Sequence, residues 1–341
     1  MRAFSCPYCG NLVFFENTTC LRCGAALGFD PELGAVVPMR EIHRPCANRA
    51  VAGCNWLLGP GETLSLCRSC RLTRTRPNDA DTHAIGHFAQ AEAAKRRLIF
   101  QLLDLGLPVG DQSPIFDLLA GQGDPVLTGH LDGVITINLA ESDDRHREWQ
   151  RERLGEPYRT MLGHFRHEIG HHCWPILNPT PSSLEECRAR FGDERGDYQS
   201  ALERYYRDGP PMPFVDRYVS AYATAHPWED WAETFAHYLH IRDTLQTAAA
   251  YGMVVTGPVT VPPLAGLPAL MAAPAVVDPR KFEDILAQWL PLTYALNAVN
   301  RSMGKDDLYP FVLASAVIDK LGLVHERVIQ AGSRPLNSTT C

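Results

Sequence analysis

Apolar residues recur at helical spacing through most of this 341-residue chain. From about Ile85 to Leu105 strong helix formers run without a break, and Gly106-Leu107-Pro108 ends them. The run from Tyr158 to Arg166 holds no proline, and Met161, Leu162, Phe165 and Ile169 share one helical face; Pro157 sits where that helix would begin and Pro175 where it would stop. A third helix is expected after Pro227, with Trp228, Trp231, Phe235, Tyr238 and Leu239 forming an aromatic stripe. Shorter helical patterns cover Ser183–Phe191 and Asp197–Arg207, separated by Gly192-Asp193-Glu194-Arg195-Gly196, and amphipathic ones cover 280–302 and 308–321. Alternation with period two is clearest in Gly133-Val134-Ile135-Thr136-Ile137-Asn138-Leu139, and Leu12–Phe15 reads as a short strand. Asp143-Asp144 followed by Arg145, Arg147, Arg151 and Arg153 follows the order that a helix dipole favours. The stretch 251–279, rich in Ala, Pro, Val and Gly, reads as a packed crossing or a linker rather than a lid, and the last ten residues should fray. The whole is an α+β chain, mostly helical.

Chemistry enters with His167-Glu168-Ile169-Gly170-His171. Histidines at i and i+4 lie one turn apart on the same helical face, so both imidazoles can reach one Zn²⁺. Glu168, beside the first histidine, can take the proton of an attacking water. Two histidines need a third protein ligand. The helix after Pro227 offers Glu229 and Glu233, four residues apart on one face. One should bind metal while the other accepts the free N–H of a ligating imidazole; we assign Glu229 to the metal and Glu233 to the imidazole.

Other histidines flank these helices. His164 could face substrate but reads as an ordinary helical residue, and His172 points about 100° away from the ligand face. His226, at the helix start beside Glu229, is a better candidate to assist an oxyanion than His237 or His240.

With these motifs in view the chain resembles the gluzincin metallopeptidases, which pair H-E-x-x-H with a downstream helical glutamate. That resemblance implies Glu229 as third ligand. A toxin peptidase of similar pattern places a tyrosine seven residues before its ligand glutamate, and here Tyr222 stands seven before Glu229; the resemblance implies that Tyr222 stabilises the oxyanion. More closely, the chain resembles a bacterial family of zinc-binding metallopeptidases with an N-terminal zinc ribbon. The carrying segments are Cys67-Arg68-Ser69-Cys70-Arg71-Leu72, Gly155-Glu156-Pro157-Tyr158-Arg159-Thr160, Gly163 to His171, Phe191-Gly192-Asp193-Glu194-Arg195, and Ser220 to Ile241. It implies a zincin-like domain in which substrate lies along an edge strand upstream of the H-E-x-x-H helix. The strand at 133–139 is the candidate, with an ordinary core strand as the alternative.

The cysteines make a second metal argument. Cys6-Pro7-Tyr8-Cys9 and Cys20-Leu21-Arg22-Cys23 have zinc-ribbon spacing, and Cys46, Cys54, Cys67 and Cys70 form a further set. Four thiolates close a tetrahedron, so both sites would be structural, beside one catalytic zinc. Disulfides are disfavoured because no apolar leader is visible, which points to the cytoplasm. Cys173 reads as an inert thiol off the ligand face, and Cys187 and Cys341 are left over.

The expected units are a zinc ribbon at 1–38, a second cysteine module at 39–80, a zincin-like domain at 81–250, the irregular segment at 251–279 and a C-terminal helical segment at 280–341. A formal charge of −7 argues against binding nucleic acid through bulk charge. Arg68, Arg71, Arg74 and Arg76 are a local exception that could touch a protein or nucleic acid through the cysteine modules, or pack against the neighbouring domain. Prolines 258, 262, 263, 268 and 274 exclude a membrane span in the apolar stretch from Val254 to Val277. The expected activity is zinc-dependent hydrolysis of a peptide or protein substrate. A zinc-ribbon adaptor with an idle zincin domain, and a hydrolase of a non-peptide amide, are the alternatives.

Overall fold

The computed structural model describes residues 2–59, 61–110, 113–121, 126–142, 160–256 and 278–333. The acid-then-arginine stretch from Asp143, most of 251–279 and the last eight residues lie outside the described residues.

Three two-stranded pairs build the N-terminal part: Phe4–Ser5 with Leu12–Val13, Leu27–Asp30 with Ala35–Pro38, and Arg44–Pro45 with Leu57–Leu58. The strand expected to reach Phe15 ends at Val13, because Asn17 Oδ1 takes the Phe14 N–H at 2.6 Å and closes a turn. Phe15 then turns inward. It meets Phe29 at 4.8 Å and Phe100 at 5.1 Å between ring centroids, while Trp56 meets Phe29 at 5.1 Å. Phe100 belongs to the long helix Thr82–Asp104, so this aromatic cluster seats both cysteine modules on that helix. The four arginines are engaged within the fold. Arg68 donates to the Val109 carbonyl, Arg71 pairs with Glu62, Arg74 with Asp117 and Arg76 with Asp79.

A four-stranded sheet runs in the order Thr73–Thr75, Ile115–Leu119, Val134–Asn138, Gly129–Leu131. The strand proposed as an edge is therefore interior. Val134–Asn138 pairs in parallel with Ile115–Leu119 and antiparallel with Gly129–Leu131, so both sides of its backbone are taken. Among the described residues the sheet's edges are Thr73–Thr75 and Gly129–Leu131, the latter turned back through Asp132 and Gly133, which both have positive φ (49° and 79°).

The H-E-x-x-H helix spans Met161–Leu177. Its start is set by Thr160, whose side chain accepts the Gly163 N–H at 2.9 Å; Pro157 lies outside the described residues. Pro175 does not stop the helix. A proline in the last turn forfeits a single backbone bond, and the helix continues to Leu177. The second ligand helix, Pro227–Ala250, packs along it with Pro227 at its first position. Where the two cross, a Cβ on Gly170 would stand 3.0 Å from Ala232 Cα, and the Trp231 indole donates to the Gly170 carbonyl at 2.9 Å. Gln101, next to Phe100, accepts from Arg166 on the first ligand helix at 3.2 Å and donates to the Leu239 carbonyl on the second at 2.5 Å.

Pro181–Phe191 and Tyr198–Asp208 connect the ligand helices, and Phe282–Ser302 follows them. The last helix is Ser315–Gly332 and not 308–321. Asn297 binds both the N–H and the carbonyl of Tyr309 (3.0 and 2.8 Å), which withdraws that backbone from any helix. Ser315–Gly332 packs on the second ligand helix through a buried Lys320–Asp230 pair at 2.6 Å. Burial pushes the Asp230 carboxyl up to about 7 against the pull of Lys320. No helix among the described residues is long and apolar enough to cross a membrane.

Candidate metal centre

Each cysteine quartet closes on a point. The sulfurs of Cys6, Cys9, Cys20 and Cys23 lie within 4.8 Å of one another, and so do those of Cys46, Cys54, Cys67 and Cys70. The contacts Cys6–Cys23, Cys9–Cys20 and Cys54–Cys67 measure 3.7, 3.6 and 3.7 Å. A disulfide needs about 2.05 Å. A ZnS₄ tetrahedron with bonds of ~2.3 Å has edges of roughly 3.8 Å, which these separations match. Cys173 and Cys187 stand apart as buried thiols, pushed by burial up to about 12 and about 11.

The third cluster gathers His167, His171 and Glu229. His167 Nε2 lies 2.9 Å from Glu229 Oε2 and 3.2 Å from His171 Nε2, and His171 Nε2 lies 3.5 Å from the same oxygen. Zinc with ligands at about 2.0–2.2 Å needs ligand–ligand edges of roughly 3.4 Å, so the set has the right span. The charges agree. Burial alone would raise Glu229 and lower His167. Instead the neighbouring imidazoles hold Glu229 well below its usual range, and Glu229 and Glu233 pull His167 well above its own. Glu229 Oε2 is buried, with only the two imidazole nitrogens beside it. These atoms ask for a cation.

Glu233 lies on the far side of His167, whose Nδ1–H donates to Glu233 Oε1 at 2.7 Å; Ser220 donates to the other carboxylate oxygen at 2.6 Å. Although burial would raise it, these bonds hold Glu233 down to about 2. The Nδ1–H bond fixes the imidazole tautomer and aims the Nε2 lone pair into the cluster. Glu168 is buried, which pushes its carboxyl up to about 8, and its Oε2 has no partner. It opens on a cavity of about 540 Å³ whose lining includes His164, Glu141, Tyr222 and Phe311. The Tyr222 ring lies 5.9 Å from that of His167.

The remaining histidines divide. His164 bonds Glu141 on the cavity wall, and His172 meets Ser113 at 3.3 Å away from the cluster. His226 is not placed to assist an oxyanion. Its Nδ1 accepts the Trp228 N–H at 3.1 Å as the helix cap, and its Nε2 meets the Gly196 carbonyl at 3.3 Å. His237 bonds the Tyr309 hydroxyl at 2.8 Å, and His240 packs on Trp289. Four residues come to the site without a sequence signal that singled them out. Tyr198 donates to Glu229 Oε1 at 2.6 Å, and Ser220 supports Glu233. Glu141 joins His164, and His130 on the edge strand lies 6.3 Å from the His171 ring with its Nε2 buried and unpartnered.

Two tetrathiolate sites and a His/His/Glu centre define a zinc-binding protein of the metallopeptidase class. Residues 84–327 match the family described as "Putative zinc-binding metallo-peptidase", and residues 3–81 match a zinc-ribbon domain. The chain belongs to that metallopeptidase family and carries an N-terminal zinc ribbon. Relatives in Mycobacterium bovis and in two strains of Mycobacterium tuberculosis are 49% identical over 334 residues, which is 95% of this chain and 94% of each relative; each is named only as an uncharacterized protein. No solved structure matches.

Proposed function

We propose that this protein is a zincin-like, gluzincin-type peptidase that hydrolyses peptide or protein substrates in the cytoplasm. The observation that carries the reading is the convergence of His167 Nε2, His171 Nε2 and Glu229 Oε2 beside a buried Glu168 at the wall of an open cavity. Zinc held by those three atoms would supply Lewis acidity to the scissile carbonyl and the attacking water. Glu168, with one oxygen free, takes the water's proton and passes it to the leaving amine. Its carboxyl must be ionised to begin, and the positive charge that the cluster asks for lowers it from the value that burial alone imposes. Tyr222, on the wall of the same cavity, donates its hydroxyl to the developing oxyanion. Backbone pairing of the substrate falls to Gly129–Leu131, which has a partner on one side only among the described residues. The thiolate zinc sites need a reducing compartment, which supports the cytoplasm.

The test is Glu168→Gln, which keeps the shape and removes the base. A proteome-derived peptide library is incubated with each zinc-loaded protein and new termini are counted. Wild type should cut at defined sites, and the variant should retain its zinc and lose at least about a hundredfold in rate. Equal cutting by both proteins overturns the mechanism. No cutting by wild type overturns the peptidase reading.

A further inference from the structure

The two oxygens of Glu229 have different surroundings. Oε2 faces both imidazole Nε2 atoms, while Oε1 accepts the Tyr198 hydroxyl at 2.6 Å. We propose that Tyr198 is a positioning residue for the metal: its hydroxyl ties down Glu229 Oε1, so that Oε2 alone is presented to zinc and the remaining coordination position stays open for substrate. The inference rests on Glu229 being the third ligand.

The placement of Tyr198 favours this role over packing. It opens the helix Tyr198–Asp208, in which Ala201 is the one buried residue. Tyr198 itself is 41% exposed, so its ring contributes little to a core. Its ring is nevertheless held in place. It stands edge-on to His226, with centroids 5.3 Å apart, and His226 is in turn fixed by the Trp228 N–H and the Gly196 carbonyl. Asp197 caps the helix, its side chain accepting the Ser200 N–H at 3.1 Å, which fixes the backbone from which the ring projects. A half-exposed ring is thus held so that its hydroxyl end reaches a carboxylate that is almost wholly buried.

The assignment also divides labour between two tyrosines. A phenol has one O–H to give. Tyr198 has given its own to Glu229, and so cannot also donate to an oxyanion. Tyr222, on the cavity wall, turns its hydroxyl to the Tyr198 oxygen and not to Glu229, so its proton is not committed to the metal ligand.

The experiment compares full-length Tyr198→Phe and Tyr222→Phe proteins. Zinc affinity of the histidine site is measured by chelator competition, and cobalt replaces zinc there to give a visible ligand-field spectrum. Tyr198→Phe should weaken zinc ten- to hundredfold and alter the cobalt spectrum, with the cysteine sites still filled and the melting temperature of the metal-depleted site unchanged. Tyr222→Phe, which removes only a neighbour of the Tyr198 hydroxyl, should change both less. In a Glu229→Gln background, Tyr198→Phe should add almost nothing, because the bond it removes serves only that carboxylate. Wild-type affinity and spectrum in Tyr198→Phe overturn the inference. So do additive losses in the double variant, a result that also covers a fall in stability that merely drags affinity down. If wild type holds no third zinc, the peptidase reading falls as well, whereas failure of Tyr198→Phe alone leaves it standing.

Discussion

Gly170 lies inside the metal motif, yet its own contact is with the other ligand helix, and Gly170→Ala measures how closely the two helices must approach. A Cβ there would stand 3.0 Å from Ala232 Cα, 3.2 Å from Ala232 O and 3.3 Å from Phe235 Cβ. Ordinary contact begins at 3.4 Å, so the helices must part by at least 3.4 − 3.0 = 0.4 Å. Two of these neighbours are backbone atoms, which cannot rotate aside. Alanine gains about 1 kcal/mol in helix propensity over glycine. Overpacking of this kind costs about 1–3 kcal/mol, so the net change is a loss of up to about 2 kcal/mol. The consequence for the metal is larger. His167 and His171 ride on one helix and Glu229 on the other, and metal sites tolerate about 0.2 Å in ligand distance. A shift of 0.4 Å exceeds that tolerance, and zinc affinity at this site should fall at least tenfold. Urea denaturation reports the first effect and chelator competition the second. A variant as stable as wild type or more so, with unchanged affinity, would show that the crossing is looser than described and refute the reasoning.

Three further outcomes are expected. Glu233→Gln should weaken zinc ten- to hundredfold, less than Glu229→Gln does; the reverse ranking in a chelator competition would exchange their roles. Tyr222→Phe should lower turnover about a hundred- to a thousandfold with little change in KM, and an unaltered rate would reduce Tyr222 to a packed aromatic. Metal analysis of the purified protein should find three zinc ions. His167→Ala/His171→Ala should lose one, and Cys54→Ser should lose a different one together with the fold of the N-terminal modules, read from near-ultraviolet dichroism of Trp56, and should also weaken zinc at the histidine centre.

Local signals were legible where chemistry dictates spacing. The cysteine pairs and the H-E-x-x-H helix are each written within a few residues, and Pro227 marks the start of the helix that carries Glu229 and Glu233. What failed depends on partners distant in sequence. The sequence leaves 133–139 open between an edge and a core strand, and Asp132-Gly133 is the hairpin signal that places a second strand just before it and makes it interior. The final helix was begun too early because nothing near Tyr309 announces that Asn297 occupies its backbone. Tyr198 precedes Glu229 by 31 residues, and no periodicity connects them. Pro175 misled for another reason: a proline rule describes helix interiors, and this residue falls in a last turn with little left to break.

Phe100 and Gln101 are neighbours on one helix, yet one is embedded among the aromatics of the cysteine modules and the other joins the two helices of the histidine centre. This adjacency imposes an order of metal filling. A helix without its aromatic seat loses one of the faces that fix its register, and a glutamine shifted along it holds the ligand helices less firmly together. The tetrathiolate sites should therefore load before the third site reaches its full affinity. If the histidine centre is the hydrolytic site proposed above, a cell short of zinc would hold a form that is folded and zinc-bearing but silent, so that activity follows the abundance of the metal and not that of the polypeptide.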